Sequence, residues 1–126
     1  MHSTKRRSAR GLIVGLALAA AAVAGPAGSQ AATPKLVATV GPGFTISLKT
    51  AAGRKVTALE PGIYAITVDD RSSIHDFRLR GPGLNRVFSN VSAVGKKTAT
   101  VRLRPRKYRF SCRPHAAAMY GSFSVR

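Results

Sequence analysis

Four side chains in this sequence are ones that bind soft or borderline metal ions. Cys112, His115 and Met119 lie within eight positions of one another, and His75 lies upstream. One thiolate, two imidazoles and a weak thioether are the ligands of a mononuclear blue-copper centre. If residues 1–31 are removed as a leader, no other His, Cys or Met remains in the chain. The residue types therefore predict one copper ion held by these four residues.

The spacing of the C-terminal donors suits a single loop. Tyr108, Phe110 and Cys112 share one face of a strand-like run, and Pro114 then turns the chain. His115 and Met119 follow before a strand begins again at residue 121. A short loop can thus supply three ligands while a neighbouring strand supplies His75. Donors fixed by such a scaffold keep the copper geometry nearly constant between oxidation states, which lowers the reorganisation needed to move an electron.

Each donor also has an ordinary alternative role. Cys112 taken alone could be an inert buried thiol, or a nucleophile assisted by His115. His75 could be a core histidine with its hydrogen bonds satisfied, and Met119 could fill the core. No Asn or Asp is evident as a third, orienting group and no oxyanion loop is recognisable, so we expect a protein that is not an enzyme.

The N-terminus has the three parts of a secretory signal peptide. A basic region is followed by an apolar run over residues 11–25 and by small residues that allow cleavage after Ala31. The apolar run is shorter than the roughly 20 residues of a membrane span, although an uncleaved anchor is an alternative. Arg6 and Arg7 are only a weak indication of twin-arginine export. We expect a leader over 1–31, one domain over 32–126, and a location in the periplasm, cell envelope or extracellular space.

Cysteine content and net charge limit which kinds of structure and partner are possible. The single cysteine excludes an intrachain disulfide, and a lone thiol in an exported protein invites a specific role. The whole chain has a net charge of +17; without Lys5, Arg6, Arg7 and Arg10 it keeps 17 basic residues against four acidic ones, or +13. Such a charge concerns partners and solubility rather than fold.

Strand signals dominate the remainder of the chain. Short alternating or β-branched runs are separated by Gly and Pro turns, without the apolar spacing of a helix. This pattern predicts an all-β sandwich of seven or eight strands, with loop and at most one weak strand over 84–97. The predicted strands cover residues 36–40, 44–48, 56–59, 63–68, 74–80, 98–103, 108–112 and 121–125.

Two segments carry a resemblance to a known family. Tyr108-Arg-Phe-Ser-Cys-Arg-Pro-His115-Ala-Ala-Ala-Met119 and Ser73-Ile-His75-Asp-Phe77 resemble the ligand segments of the cupredoxins, the group of plastocyanin and azurin. The resemblance covers essentially all of 32–126. It implies a small Greek-key β-sandwich that passes single electrons between redox proteins through the exposed edge of His115. It also implies that His75, Cys112 and His115 are the strong ligands and Met119 the axial one.

One residue departs from the family's usual pattern, and two charged residues should affect the reduction potential. The family usually has Asn after the first histidine, and here the residue is Asp76. An ionised Asp76 would favour Cu(II) and lower the reduction potential, whereas the charge of Arg113 would raise it. The spacing between His115 and Met119 also varies within the family, which makes Met119 the least certain ligand.

Basic residues are concentrated on outward strand positions near the predicted ligand loops. They could form a solvated face, or they could steer an acidic redox partner toward His115. Nucleic-acid binding would need aromatic platforms beside them, and the Phe and Tyr residues fall on inward positions. We expect a monomer without a transmembrane span after leader removal. Two alternatives to an electron carrier stay open: a module that stores or delivers copper, and a metal-free sandwich that binds polyanions.

Overall fold

The computed structural model of the chain describes residues 11, 13–22 and 31–126. The predicted leader lies largely outside the described residues, so its cleavage stays a prediction. Residues Ala31–Arg126 form a compact unit that contains the described strands. Among the described residues, no helix is long and apolar enough to cross a membrane.

Nine strands and one 3₁₀ turn make up this unit. The 3₁₀ turn covers Arg113–His115 and follows the eighth strand. The strands are β1 (Lys35–Val40), β2 (Ile46–Thr50), β3 (Ala58–Leu59), β4 (Gly62–Asp70), β5 (Phe77–Gly81), β6 (Leu84–Ser89), β7 (Gly95–Leu103), β8 (Arg106–Ser111) and β9 (Tyr120–Val125).

The strands form two sheets whose inner faces enclose the core. The first sheet has the order β2-β1-β4-β7, and the second has the order β3-β9-β8-β5-β6. The chain changes sheet repeatedly, so that β5 pairs with β8 although β6 and β7 lie between them in sequence. Pairs β1–β4 and β3–β9 are parallel and the other neighbours are antiparallel. The predicted all-β sandwich is confirmed.

Alternation along the strands produces the core. On β4, Tyr64, Ile66 and Val68 are buried, and on β8 Tyr108 and Phe110 are buried between exposed basic residues. Burial of such side chains stabilises the fold by roughly 1.5–3 kcal/mol each. The inward positions of the two central strands were therefore predictable from period-2 patterning alone.

Aromatic packing in the second sheet requires glycine at two strand positions. A Cβ at Gly81 would lie 2.2 Å from the Tyr108 ring, and one at Gly121 would lie 2.2 Å from the Phe110 ring. Tyr108 stacks on Phe123 with ring centroids 5.4 Å apart. The rings of β8 thus lie flat against the backbone of the adjacent strands, which fixes the strand that leads to Cys112.

Three sequence predictions differ from the structure. The strand predicted over 74–80 begins only at Phe77, and His75 lies in the preceding loop. Alternation along the predicted strand would place His75 and Phe77 inward and Asp76 outward, but Asp76 is fully buried. A register shift at Phe77/Arg78 marks a β-bulge at this point, and bulges commonly re-aim side chains beside functional sites. Phe44, predicted to begin a strand, lies in the β1–β2 loop.

The strand count also exceeds the predicted seven or eight. The segment 84–97, predicted as loop with one weak strand, contains all of β6 and the beginning of β7. β6 is an edge strand of the second sheet, and its inner residues are buried only at the C-terminal end. An edge strand of this kind does not alternate clearly, because much of it faces solvent on both sides.

Candidate metal centre

The β8–β9 connection presents Cys112, His115 and Met119 from one closed loop. The Cys112 N–H donates to the Met119 carbonyl at 3.0 Å, and the Met119 N–H donates to the His115 carbonyl at 2.8 Å. The 3₁₀ turn Arg113–His115, with Pro114 inside it, carries the chain between the first two of these residues. The first of these bonds continues the β8–β9 ladder by one position, and the second closes a turn within the loop.

His75 reaches the same place from the loop before β5. Its Nε2 lies 2.7 Å from the Gly43 carbonyl in the β1–β2 loop, so Nε2–H is the donor there. This hydrogen bond selects the tautomer whose Nδ1 carries the free lone pair. The side chain is buried. His75 is thus oriented with Nδ1 toward Cys112 and His115, as a metal ligand should be.

Three donor atoms converge. His75 Nδ1 lies 3.1 Å from His115 Nδ1, and Cys112 Sγ lies 3.7 Å and 3.6 Å from these two atoms. Nitrogen and sulfur donors bond a small divalent ion at about 2.0 and 2.3 Å, so one ion fits among atoms separated in this way. The chemistry of the set, two imidazoles and a thiolate, is that of a single mononuclear copper ion. The residues present fit the metal that the sequence predicted.

Met119 lies in the same loop as Cys112 and His115. Its side chain is fully buried and its backbone closes the ligand loop. A thioether is a weak, long axial ligand in His₂Cys sites. The axial role of Met119 stays a prediction, whereas the proximity of the other three donors is a feature of the structure.

Burial and hydrogen bonding act in opposite directions on Cys112. Burial raises the pKa of the Cys112 thiol, and the backbone N–H groups of Asp76 and His115 partly offset this by stabilising the thiolate. The Asp76 N–H lies 3.5 Å from Sγ. A metal ion would favour the thiolate much more strongly, since a coordinating thiol is deprotonated outright.

Asp76 joins the two ligand-bearing segments. Its Oδ1 accepts a hydrogen bond from the Arg113 backbone N–H at 2.7 Å, and its Oδ2 pairs with the Arg113 guanidinium. The carboxylate is fully buried, and the Arg113 side chain is 46% exposed. Asp76 and Arg113, considered separately from the sequence, therefore form one ion pair beside the donors.

Phe44 was not recognised from the sequence as part of the site. Its ring packs edge-on against the rings of both His75 and His115, with centroids 5.3 and 4.9 Å away, and it is 62% exposed. The Gly41-Pro-Gly43 turn places it there. Gly41 has φ +68°, and a Cβ at this position would lie 3.0 Å from Ser72. An aromatic residue directly after this turn was the available signal.

Comparison with solved structures supports the same architecture. A rusticyanin variant superposes with a TM-score of 0.55 at 21% identity, covering 77% of this chain and 80% of that one. Rusticyanin from Thiobacillus ferrooxidans gives 0.53 at 24% identity, covering 77% and 79%. A chain of a heme-copper terminal oxidase dimer gives 0.51 at 16% identity, covering 73% and 63%.

No protein-family model and no curated protein matches the sequence. The structural likeness nevertheless shows the fold: rusticyanin is a blue-copper cupredoxin, and this chain has the cupredoxin fold. The resemblance inferred from the ligand segments is confirmed at the level of fold.

Proposed function

We propose that this protein is an exported type 1 copper protein that carries single electrons between redox partners and is not an enzyme. The convergence of His75 Nδ1, His115 Nδ1 and Cys112 Sγ within 3.7 Å carries this proposal. The buried Met119 in the same loop is proposed as the axial ligand. Bound copper would supply a couple between Cu(I) and Cu(II).

The residues around the donors would keep them still during electron transfer. Gly43 holds the His75 ring, the β8–β9 ladder holds Cys112, and the Asp76–Arg113 pair joins the two segments. Buried side chains in a packed interior have few alternative positions. Little movement of the ligands is then needed when the charge of the site changes, which is the property required of an electron carrier.

The surface beside His115 supports a docking role. His115 is partly exposed, and Phe44, Ile74 and Ala116 to Ala118 surround this end of the molecule with exposed apolar groups. An apolar contact here would bring a partner's cofactor near an imidazole that also binds the metal. We propose that the partner is an acidic redox protein, since complementary charge mainly accelerates encounter.

Export and domain limits belong to the same proposal. The charged, apolar and small-residue sequence over 1–31 supports a cleaved leader, and the compact unit Ala31–Arg126 begins beside the proposed cleavage point. The copper domain would then cover 32–126 and act as a monomer in the periplasm, cell envelope or extracellular space. N-terminal sequencing of the protein from its host would identify the cleavage point.

Addition of Cu(II) to the purified protein tests the metal site. We expect an intense visible thiolate-to-copper band that is abolished by Cys112→Ser and that persists, shifted, in Met119→Leu as the matched control. Rapid electron exchange with a cytochrome, slowed by salt, would favour a carrier over a copper store. A folded protein that binds no copper would contradict the proposal and leave a metal-free binding domain.

A further inference from the structure

The outer face of the second sheet carries a basic groove. Arg80 on β5 and Lys107 and Arg109 on β8 line an open concavity of about 480 Å³, and Asn85 also contributes to its lining. The three basic side chains are exposed, and the residues between them along the strands point inward. We call this surface the basic groove.

The basic groove brings positive charges together without an acidic side chain beside them. Arg80 lies directly opposite Arg109 in the β5–β8 pairing, an arrangement that destabilises a sheet. The four acidic residues of the chain are elsewhere: Glu60, Asp69, Asp70 and Asp76. In the part of the chain that the structure describes, the ion pairs are Arg71–Asp69 and Arg113–Asp76, and neither involves the groove. An anion bound from outside would remove this repulsion.

Arg109 connects the basic groove to the ligand loop. Its Nη2 donates to the carbonyl of Ala116 at 3.0 Å, and its guanidinium lies 4.1 Å from the centroid of the Tyr120 ring. Ala116 follows His115, and Tyr120 follows Met119. The guanidinium is therefore fixed in orientation, with further N–H donors left for an external acceptor. A ligand in the groove would lie next to the loop that carries three of the four proposed copper ligands.

The spacing of the charges suits carboxylates on an extended chain. Lys107 and Arg109 are alternate residues of one strand, about 6.8 Å apart, and Arg80 is one strand away, about 4.8 Å. Acidic side chains on one face of an extended segment are also two residues apart. Arginine forks bind carboxylates in a bidentate manner, which adds orientation to charge.

We propose that the basic groove docks an extended acidic segment of a partner protein, with carboxylates at alternate residues bound by Arg80, Lys107 and Arg109. The functional meaning of this docking, delivery of a redox partner to the edge of the ligand loop, rests on the proposed electron-transfer function. The binding itself does not require copper. The groove extends the proposed contact from the apolar surface around His115 onto the face of the second sheet.

A labelled synthetic peptide of alternating Glu and Thr tests the groove by fluorescence anisotropy with the purified protein, metal-free and copper-loaded. We expect Arg80→Gln/Arg109→Gln to weaken binding about tenfold or more. The control Lys49→Gln/Arg102→Gln, which removes two exposed charges from the first sheet, should change it by less than about twofold. Arg80→Gln/Lys107→Gln, which leaves the Arg109–Ala116 bond intact, should reproduce the loss.

Equal weakening by the groove variants and the control would overturn the proposal, because net charge alone would then explain binding. Absence of binding at low salt would do the same. Tighter binding of an oligonucleotide of equal charge through the same residues would replace the acidic protein segment with nucleic acid. Since the peptide is measured with and without copper, loss of the copper band would contradict the proposed function and leave the groove result standing.

Discussion

The two sheets of this sandwich differ in what their side chains do. In the first sheet the central strands bury mainly aliphatic residues, among them Ala38, Val40, Ile66 and Val68. In the second sheet the core is largely aromatic, and β5, β8 and β9 adjoin every proposed metal ligand. From the first sheet, the β1–β2 loop supplies the Gly43 carbonyl and Phe44 to the site.

Close packing in the second sheet explains this division. The rings of Tyr108 and Phe110 lie on the backbone of the adjacent strands so closely that no Cβ fits at Gly81 or Gly121. β8, which leads directly into Cys112, is therefore held firmly just before the ligand loop. We expect changes in the second sheet to disturb both stability and the copper site, and changes in the first to disturb stability alone.

The largest expected effect is that of Gly121→Ala. An added Cβ would overlap the Phe110 ring, and overpacking of this kind should lower the free energy of unfolding by about 3 kcal/mol. An ordinary strand glycine would instead be stabilised by alanine. Urea unfolding measures the change, and Phe110→Leu in the same chain should recover part of it. A stabilised single variant would show that the rings are not packed on the strand.

The Asp76–Arg113 pair should respond unequally to loss of either partner. Arg113→Ser leaves a fully buried carboxylate with only one backbone donor and should cost about 2 kcal/mol of stability. Asp76→Asn leaves a half-exposed guanidinium that water can reach and should cost about 1 kcal/mol. Denaturant unfolding of the metal-free proteins compares the two directly. A larger cost for Asp76→Asn would contradict the assigned burial.

The Asp76–Arg113 pair should also affect the reduction potential of the copper-loaded protein. Asp76→Asn removes a negative charge near the metal and should raise the reduction potential, and Arg113→Ser should lower it. Because the two charges are in contact, the double variant should return close to the original value. Voltammetry of the three variants tests this cancellation. Single variants that both shift the potential in the same direction, with a double variant that shifts it further, would rule it out.

In the first sheet, Ile66→Val should cost about 1 kcal/mol, since it removes one buried methylene group from the centre of β4. The position and intensity of the copper band should remain unchanged, because β4 contributes no proposed ligand. Parallel measurement of unfolding and of the visible spectrum separates the two effects. A shifted band would mean that the first sheet also determines the donor geometry.

The smallest effect concerns Tyr64, also in the first sheet. Its hydroxyl donates to the Glu60 carbonyl at 2.7 Å, and Tyr64→Phe should cost about 0.5–1 kcal/mol near neutral pH. Burial, assisted by Glu60, raises the pKa of Tyr64 above its usual 10. The stability conferred by the neutral form is complete below pH 10 and is lost as pH rises through the raised pKa. Unfolding measured across this range should therefore show a smaller decline for Tyr64→Phe.

Much of the fold and the donor set followed from the sequence. Alternation identified the central strands, and the scarcity of His, Cys and Met after residue 31 singled out His75, Cys112, His115 and Met119. The structure brings together the three of these whose donor distances are described. Residue type and spacing sufficed here because few side chains can bind a soft metal.

The remaining features depend on long-range contacts. Alternation extended β5 back through His75 and Asp76 and placed Asp76 on the outward face, whereas Asp76 is buried against Arg113 next to the bulge at Phe77/Arg78. Asp76 and Arg113 are 37 positions apart, and no local pattern connects them. Phe44 was assigned to a strand because its neighbours alternate, but the turn before it delays β2 to Ile46.

The closed β8–β9 loop has a consequence for how this protein could change over evolution. Ser111 pairs with Tyr120, and the next pair, Cys112 with Met119, is already hydrogen bonded. Only the six positions between them lack a partner on the opposite strand. Insertions or deletions after His115 would alter its distance from the last donor without shifting the register of either strand. The loop could therefore change in length and sequence while the strands that hold it stay the same.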